Sequence, residues 1–397
     1  MAENKKPSYL SGRESRKISR FNRITTRRLE REREAKGADP ANYTTRMHDD
    51  GNIVEIDDVH SYFYTDVGIV RAVDGVSFNV PKRAVVGVVG ESGCGKSVMS
   101  LSIMQLLQRP QGQVVGGEIR LNIGDGAAYN IVNTPTSEMM KIRGNKISMI
   151  FQEPMTSLNP VFRCGMQIDE VIELHSELKS KEEVKARTIE MLNLVGIANS
   201  EGVYKMYPHE LSGGMRQRVM IAMALACNPE LIIADEPTTA LDVTIQAQIL
   251  DLLLELKDKI NSSIMLITHD LGVIAQMAEY VVVMYAGRVV EKGSTRDIFH
   301  SPTHPYTLGL MKSKPKAGVR SESLYNIPGN VPNPVNMPDY CYFRDRCEMR
   351  IDACMGDYPP EIRINDTHIV SCWRSESEGK IVGYPKTVNV EELLERG

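Results

Sequence analysis

The sequence predicts an α/β fold: a mostly parallel sheet, an antiparallel β portion, a helical insertion and a loop-rich tail. Three observations carry this. AVVGVVG (84–90) is a continuously apolar run, as a strand buried on both faces requires, and GESGCGKS and a helical stretch follow it directly. The apolar runs ISMIF (147–151), LIIAD (231–235), IMLIT (264–268) and YVVVMY (280–285) are mostly separated by helical patterns. Upstream, IVEIDDV and RAVDGVSFNV alternate apolar and polar residues, as half-buried antiparallel strands do.

The chain divides into three parts. Residues 1–50 form a basic extension: positions 1–47 carry thirteen Lys/Arg against six Asp/Glu, so a net charge of −4 conceals about −11 over the remainder. RKISRFNRITTRRLERERE sets Ile18, Phe21, Ile24 and Leu29 near helical spacing among arginines. The expectation is a partly helical, solvated arm. Attraction to anionic lipid or to a partner's acidic surface is the sharper reading, with nucleic acid third. Residues 51–300 hold the α/β core. Within it VMSLSIMQLLQ and VTIQAQILDLLLELKDKI read as helices, and about 153–220, without convincing strands, reads as a helical insertion. Past His300 prolines multiply and periodicity fades, so the core is expected to end there, leaving 301–397 as an extension. No run of about eighteen apolar residues and no apolar signal core occurs, which predicts a cytoplasmic protein with reduced cysteines.

GESGCGKS (90–97) matches G-x-x-x-x-G-K-[ST] in full, between a buried strand and a helix. Backbone N–H groups of Gly90, Glu91, Ser92, Gly93, Cys94 and Gly95, with Val98 in the first helical turn, are expected around nucleotide phosphates. Lys96 would reach the β- and γ-phosphates and Ser97 would hold Mg²⁺. Asp235, ending LIIAD, fits a Mg²⁺-side carboxylate, and Glu236 is placed to orient or deprotonate the attacking water. Cys94, among inward N–H dipoles and near Lys96, is expected to have a lowered pKa; the alternative is a side chain turned into packing.

LSGGMRQR (211–218) resembles the signature motif of the ABC ATPases, and the other motifs follow in that family's order. Gln152 in FQEPMTSLNP matches the Q-loop, where it also reaches Mg²⁺. Ala240-Leu241-Asp242 matches the D-loop, His269 in LITHD the switch histidine, and Phe63, flanked by Tyr62 and Tyr64, the aromatic that stacks on adenine. The resemblance covers roughly residues 52–300 and implies head-to-tail pairing of two nucleotide domains. Ser212, Gly213, Gly214 and Gln217 would then face the partner's ATP. It also implies that Gln152 and the helical insertion pass motion to a membrane subunit. One departure is the turn Pro81-Lys82-Arg83-Ala84, where the family often has Lys-Gly-Glu; Arg83 is left in a position suited to glycine.

QEPMTSLNP, SPTHPYTLGLMKSKP (301–315) and PNPVNMPDYCYFRDRC resemble the ATP-binding subunits of dipeptide and oligopeptide importers. That resemblance implies an ATPase at the cytoplasmic face of the membrane. Its partners would be a second ATPase subunit in a heterodimer, two permeases and an extracytoplasmic peptide-binding protein, without nucleic acid. Nickel, glutathione or sugar import, or a soluble non-transport ATPase, are the alternatives. The tail's Cys341, Cys347, Cys354 and Cys372 are spaced C-x5-C-x6-C-x17-C. In the importer group such cysteines resemble ligands of a [4Fe–4S] cluster, with zinc as runner-up and four free buried thiols as the plain alternative. Cys94, Cys164 and Cys227 form no set.

Overall fold

The computed structural model describes residues 12–178, 180–239, 241–313, 325–335 and 337–385. The basic segment forms α1 (Gly12–Gly37), helical and mostly exposed as expected, but one face of it packs on the fold. Asn22, Thr25 and Thr26 are buried, while Phe21 and Leu29 pack on Tyr62 and Tyr64. The Asn22 amide donates to the Thr65 carbonyl at 2.7 Å, fixing the helix to the sheet it covers.

That sheet comprises β1 (Thr44–Arg46), β2 (Asn52–Thr65) and β3 (Gly68–Pro81), with two strands that follow the phosphate loop. Next in the chain are β4 (Val85–Val89) and α2 (Lys96–Ile103), then β5 (Gly112–Gly124), β6 (Ala127–Asn130) and α3 (Thr136–Ile142). The antiparallel order is β1-β6-β5-β2-β3, so the core begins before residue 51. Helix α2 ends earlier than its apolar pattern because Gln105 takes a left-handed φ of 49° and its amide donates to Thr134.

The central sheet takes β4, β7 (Ile147–Ile150), β8 (Leu231–Asp235), β9 (Ser263–Thr268) and β10 (Tyr280–Tyr285), all parallel as their apolar runs require. Between β7 and β8 the helical insertion contains α4 (Pro154–Ser157), α5 (Cys164–His175), α6 (Lys181–Leu194), α7 (Ser200–Lys205) and α8 (Gly213–Leu225). Helix α9 (Val243–Ile260) spans the run read as helical from the sequence, and α10 (Leu271–Met277) precedes β10. Successive valines of β4 face opposite ways. Val86 and Val88 join the core under the antiparallel sheet, and Val85 and Val89 join the core beneath the helices.

The chain does not leave the core near residue 300. After β11 (Arg288–Ser294), α11 (Thr295–His300) and α12 (Pro305–Lys312), the strands β12 (Glu361–Arg363), β13 (Ile369–Val370) and β14 (Lys380–Gly383) extend the central sheet. Its order among the described residues is β14-β12-β13-β11-β10-β4-β9-β8-β7. Tyr342, Phe343 and Tyr358 of the extension sit in the main core beside Tyr285 and Tyr306. A second anchor is polar. Asp74 on β3, fully buried, accepts from Tyr342 at 2.9 Å, Tyr62 at 2.6 Å and Arg288 at 2.7 Å, with His60 at 3.0 Å. Burial alone would raise its pKa; the His60 hydrogen bond and the Arg288 charge override this and hold the carboxyl well below the usual range.

Candidate nucleotide site

The loop after β4 curls because its glycines accept conformations that other residues resist. Gly95 has φ of 99°, and a Cβ there would stand 2.2 Å from the Ala72 carbonyl oxygen, so no other residue fits. Behind the loop, Gly287 donates to the Cys94 carbonyl at 2.9 Å. The front of the loop opens into a cleft of about 670 Å³ lined by Ser92, Gly93, Gly95, Lys96, Ser97 and Val98. Phe63 also lines the cleft, while its neighbours Tyr62 and Tyr64 are buried.

Gln152, Glu236 and His269 line the same cleft. They come from three separate strand ends, and the Glu236 carboxylate joins them. It accepts from the Gln152 amide at 3.0 Å and from the Thr239 hydroxyl at 2.9 Å, and His269 Nδ1 lies 3.3 Å away. Glu236 reaches this position through a left-handed backbone, φ 46°, while its N–H still donates to Ile267 at 2.8 Å. A non-glycine residue held this way at a site of converging polar groups is a place where strain serves geometry.

Asp235, the last residue of β8, lies beside Ser97 and near Lys96. Burial raises its carboxyl pKa, and the Ser97 hydroxyl beside it pulls the other way. Its Oδ1 is buried and has no hydrogen-bond partner among the described residues. A buried carboxylate oxygen left without a donor, beside a hydroxyl, fits one side of a Mg²⁺ coordination shell.

Gly90, Glu91 and Cys94 of the expected loop do not line the cleft. Cys94 is fully buried behind the loop, and burial pushes its thiol pKa up despite Lys96 nearby, which corrects the expectation of a lowered value. Glu91 also faces away from the cleft. Its N–H donates to the Tyr306 hydroxyl at 2.8 Å, and Arg346 grips its carboxylate at 2.7 and 3.0 Å.

The signature residues do not line this chain's own cleft. Ser212 caps α8, accepting from the Met215 N–H at 3.3 Å, and Ser212 and Gly213 are exposed at the helix start. Asp242 caps α9 close by, accepting from Ile245 at 2.9 Å; Ala240 lies outside the described residues. Gln217 departs from expectation. It is buried and its amide donates to the Pro237 carbonyl, so it ties α8 to the loop after Glu236 and does not reach outward.

Cys341, Cys347, Cys354 and Cys372 line one small cavity of about 20 Å³ with His304 and Trp373. Burial, and then the neighbouring thiols, pushes Cys341 up to about 12, and burial pushes Cys372 to about 11. Among the described residues no group of three or more His, Cys, Asp or Glu side chains is placed to hold a metal ion. The donor set is thus gathered but not drawn into coordination geometry.

Sequence reasoning missed the tail's share of the site. Pro334 lines the cleft and accepts from the Arg71 N–H at 2.9 Å, while Val335 bridges to Val70. Tyr306 and Arg346 support the loop from behind. No local pattern marks these residues, because each matters only through a contact hundreds of positions away.

Comparison with known proteins agrees with this geometry. A family model described as "ABC transporter" matches residues 73–239, and one described as "Oligopeptide/dipeptide transporter, C-terminal region" matches 290–354. The oligopeptide transport ATP-binding protein AppD of Bacillus subtilis (strain 168) is 48% identical over 327 residues, 82% of this chain and 98% of that protein. The dipeptide transport ATP-binding protein DppD of the same organism is 46% identical over 328 residues, 83% of this chain and 96% of that one. Among solved structures, a dimeric post-hydrolysis state of the ATP-binding cassette MJ0796 bound to ADP and Pi aligns with a TM-score of 0.54 at 29% identity. It covers 61% of this chain and 99% of that one.

Proposed function

This chain belongs to the ATP-binding subunits of ABC transporters, in their oligopeptide/dipeptide branch, and on that premise we propose that it hydrolyses ATP to drive uptake of short peptides. The observation that carries the reading is the meeting of Gln152, Glu236 and His269 on one face of the phosphate-loop cleft. Glu236 takes a proton from, or orients, the attacking water, and His269 and Gln152 hold its carboxylate in place. Lys96 and the loop N–H groups hold the phosphates, and Phe63 holds the base. Ser97 and Asp235, with Gln152 nearby, would hold Mg²⁺, which neutralises charge developing on the phosphate oxygens.

Names of the most similar relatives support peptides as cargo. The exposed starts of α8 and α9 support pairing with a second ATPase subunit, a heterodimer in our reading. Val161, Phe162 and Met166 are 70, 48 and 51% exposed on the helical insertion, a surface suited to permease contact. Among the described residues no helix is long and apolar enough to cross a membrane, consistent with a peripheral subunit carried by two permeases and supplied by an external binding protein.

The test uses the complex assembled with its permeases. Glu236→Gln is expected to bind ATP normally while turnover falls at least about 100-fold, the usual worth of a positioned base. Undiminished turnover would remove Glu236 from that role.

We further propose that the four-cysteine cavity holds a thiolate-bound metal group. An iron–sulfur cluster is the first choice, and zinc is the second reading, which the small size of the cavity favours. Such a group would supply structural cross-linking to a segment whose elements are only short turns and strands. Metal analysis with an absorption spectrum on anaerobically purified protein decides: about four irons and a brown colour support the cluster, one colourless zinc the alternative, and no metal rejects both.

A further inference from the structure

Arg346 is built into the back of the phosphate loop with no donor to spare. Its Nη1 and Nη2 grip the two Glu91 carboxylate oxygens at 2.7 and 3.0 Å. Its Nε donates to Pro328 at 2.8 Å, and the remaining two N–H groups meet the Tyr285 hydroxyl at 3.3 Å and the Ile327 carbonyl at 3.4 Å. All five donors of the guanidinium therefore have acceptors, on a side chain only 6% exposed. Its plane also lies over the rings of Tyr285 and Phe343. The residue sits in the 3₁₀ turn 344–346, closed by the Arg344 N–H to Cys341 and the Cys347 N–H to Arg344.

What Arg346 holds matters because of what Glu91 holds. The Glu91 carbonyl accepts from the Lys96 ammonium at 3.1 Å, next to the Gly90 carbonyl at 2.8 Å. Glu91 is also a negative charge on the loop that must receive phosphates. The grip turns its carboxylate out of the cleft wall and neutralises it, because a bidentate guanidinium–carboxylate pair is both strong and directional. Tyr306 fixes the same residue from a second side through its backbone N–H.

We propose that Arg346 is a positioning residue for the nucleotide site: through Glu91 it sets the phosphate loop and Lys96, and it keeps a carboxylate from repelling ATP. The thiol cavity and the nucleotide site are thereby one mechanical unit. Cys341 and Cys347 bracket the turn that carries Arg346, so displacement of that turn is felt at Lys96. The inference rests on the reading of residues 90–97 as an ATP site.

The experiment measures the affinity of the full-length chain for MANT-ATP by fluorescence, with thermal melts as a fold control. Arg346→Ala is expected to raise Kd about tenfold, the loss of one bidentate charged pair felt at the loop. Adding Glu91→Gln to it should recover much of that loss, because the unpaired carboxylate is gone. A merely structural role would give no such rescue. Arg346→Lys keeps the stem and charge without the fork, and is expected to raise Kd about threefold while melting like the wild type. Wild-type Kd in either Arg346 variant, or no recovery with Glu91→Gln, overturns the proposal. Failure of the wild type itself to bind MANT-ATP would instead overturn the nucleotide reading, and this inference with it.

Discussion

Arg83 holds its backbone at φ 63°, a left-handed conformation that costs a residue with a Cβ about 1–2 kcal/mol. It is kept there by its neighbours: its N–H donates to the Ser263 hydroxyl at 2.8 Å, and its carbonyl accepts from Lys257 at 3.0 Å. The side chain is exposed and makes no ion pair among the described residues. Arg83→Gly should therefore stabilise the protein by about 1 kcal/mol, the relief of strain less glycine's greater unfolded entropy. A rise in the urea midpoint without a change in slope is the expected reading, and an unchanged or lower midpoint would contradict it. This strain was legible only through the family resemblance, which often sets glycine where this turn has Arg83. Cys94 was not legible. Its dipoles and Lys96 are neighbours in sequence, but the burial that outweighs them comes from Met284, Tyr306 and the rest of the fold.

At the level of elements, α11 shows how the extension is fastened to the core. Ser294 caps the helix, and its hydroxyl donates to Asp297 at 2.5 Å while accepting the Asp297 N–H at 3.1 Å. From the extension, Asn365 and Thr367 donate to the same carboxylate at 3.0 and 2.6 Å. Burial would raise its pKa, but the bonds from Ser294, Thr367 and Asn365 outweigh it and lower the value to about 2. The sign follows. Between pH 3.8 and about 2 the unfolded carboxyl binds a proton that the folded one refuses, so stability is present above that window and lost as pH falls through it. After discounting for partial exposure, the loss is roughly 1 kcal/mol. Asp297→Asn should lower stability by that amount at pH 6 and flatten the acid limb; an unchanged acid limb would argue against the linkage. The strands with strict apolar runs, and α9 with its long periodic pattern, were legible because burial on both faces or on one stripe leaves a mark in composition. Strands β5 and β12–β14 were not. The first is broken by Gly116 and Gly117, and the others are two to four residues long and owe their pairing to an edge supplied by β11.

For the whole molecule, the motif order was legible because each motif is short and local: the phosphate loop, Gln152, Glu236 and His269 follow strand ends that the parallel sheet lines up, and the signature opens a helix. The extension was recognised by its motifs, but its packing on the core was not legible, since its contacts with Asp74 and Glu91 join residues 268 and 255 positions apart. One feature of the sequence has meaning only beyond a single chain. Ser212, Gly213 and Asp242 stand exposed at the starts of two long helices, outside the chain's own cleft. A helix N-terminus attracts anions, and here it has no phosphate of its own chain to meet. In the proposed pairing it meets the γ-phosphate of ATP held by the other subunit. Gly213 gives the cleanest test, because a Cβ there meets nothing nearer than Leu241 at 3.8 Å, whereas at Gly214 it would crowd Ile245 at 3.1 Å. Gly213→Asp therefore adds a charge without disturbing the fold, and places it where a phosphate should dock. The isolated variant is expected to bind MANT-ATP with wild-type affinity, since its own cleft is intact. In the assembled complex its ATP turnover should fall at least about tenfold, as like charge disfavours closure by about 1.4 kcal/mol or more. Weakened binding in the isolated chain would mean that the signature acts within one subunit, and unchanged turnover in the complex would mean that it faces no phosphate at all.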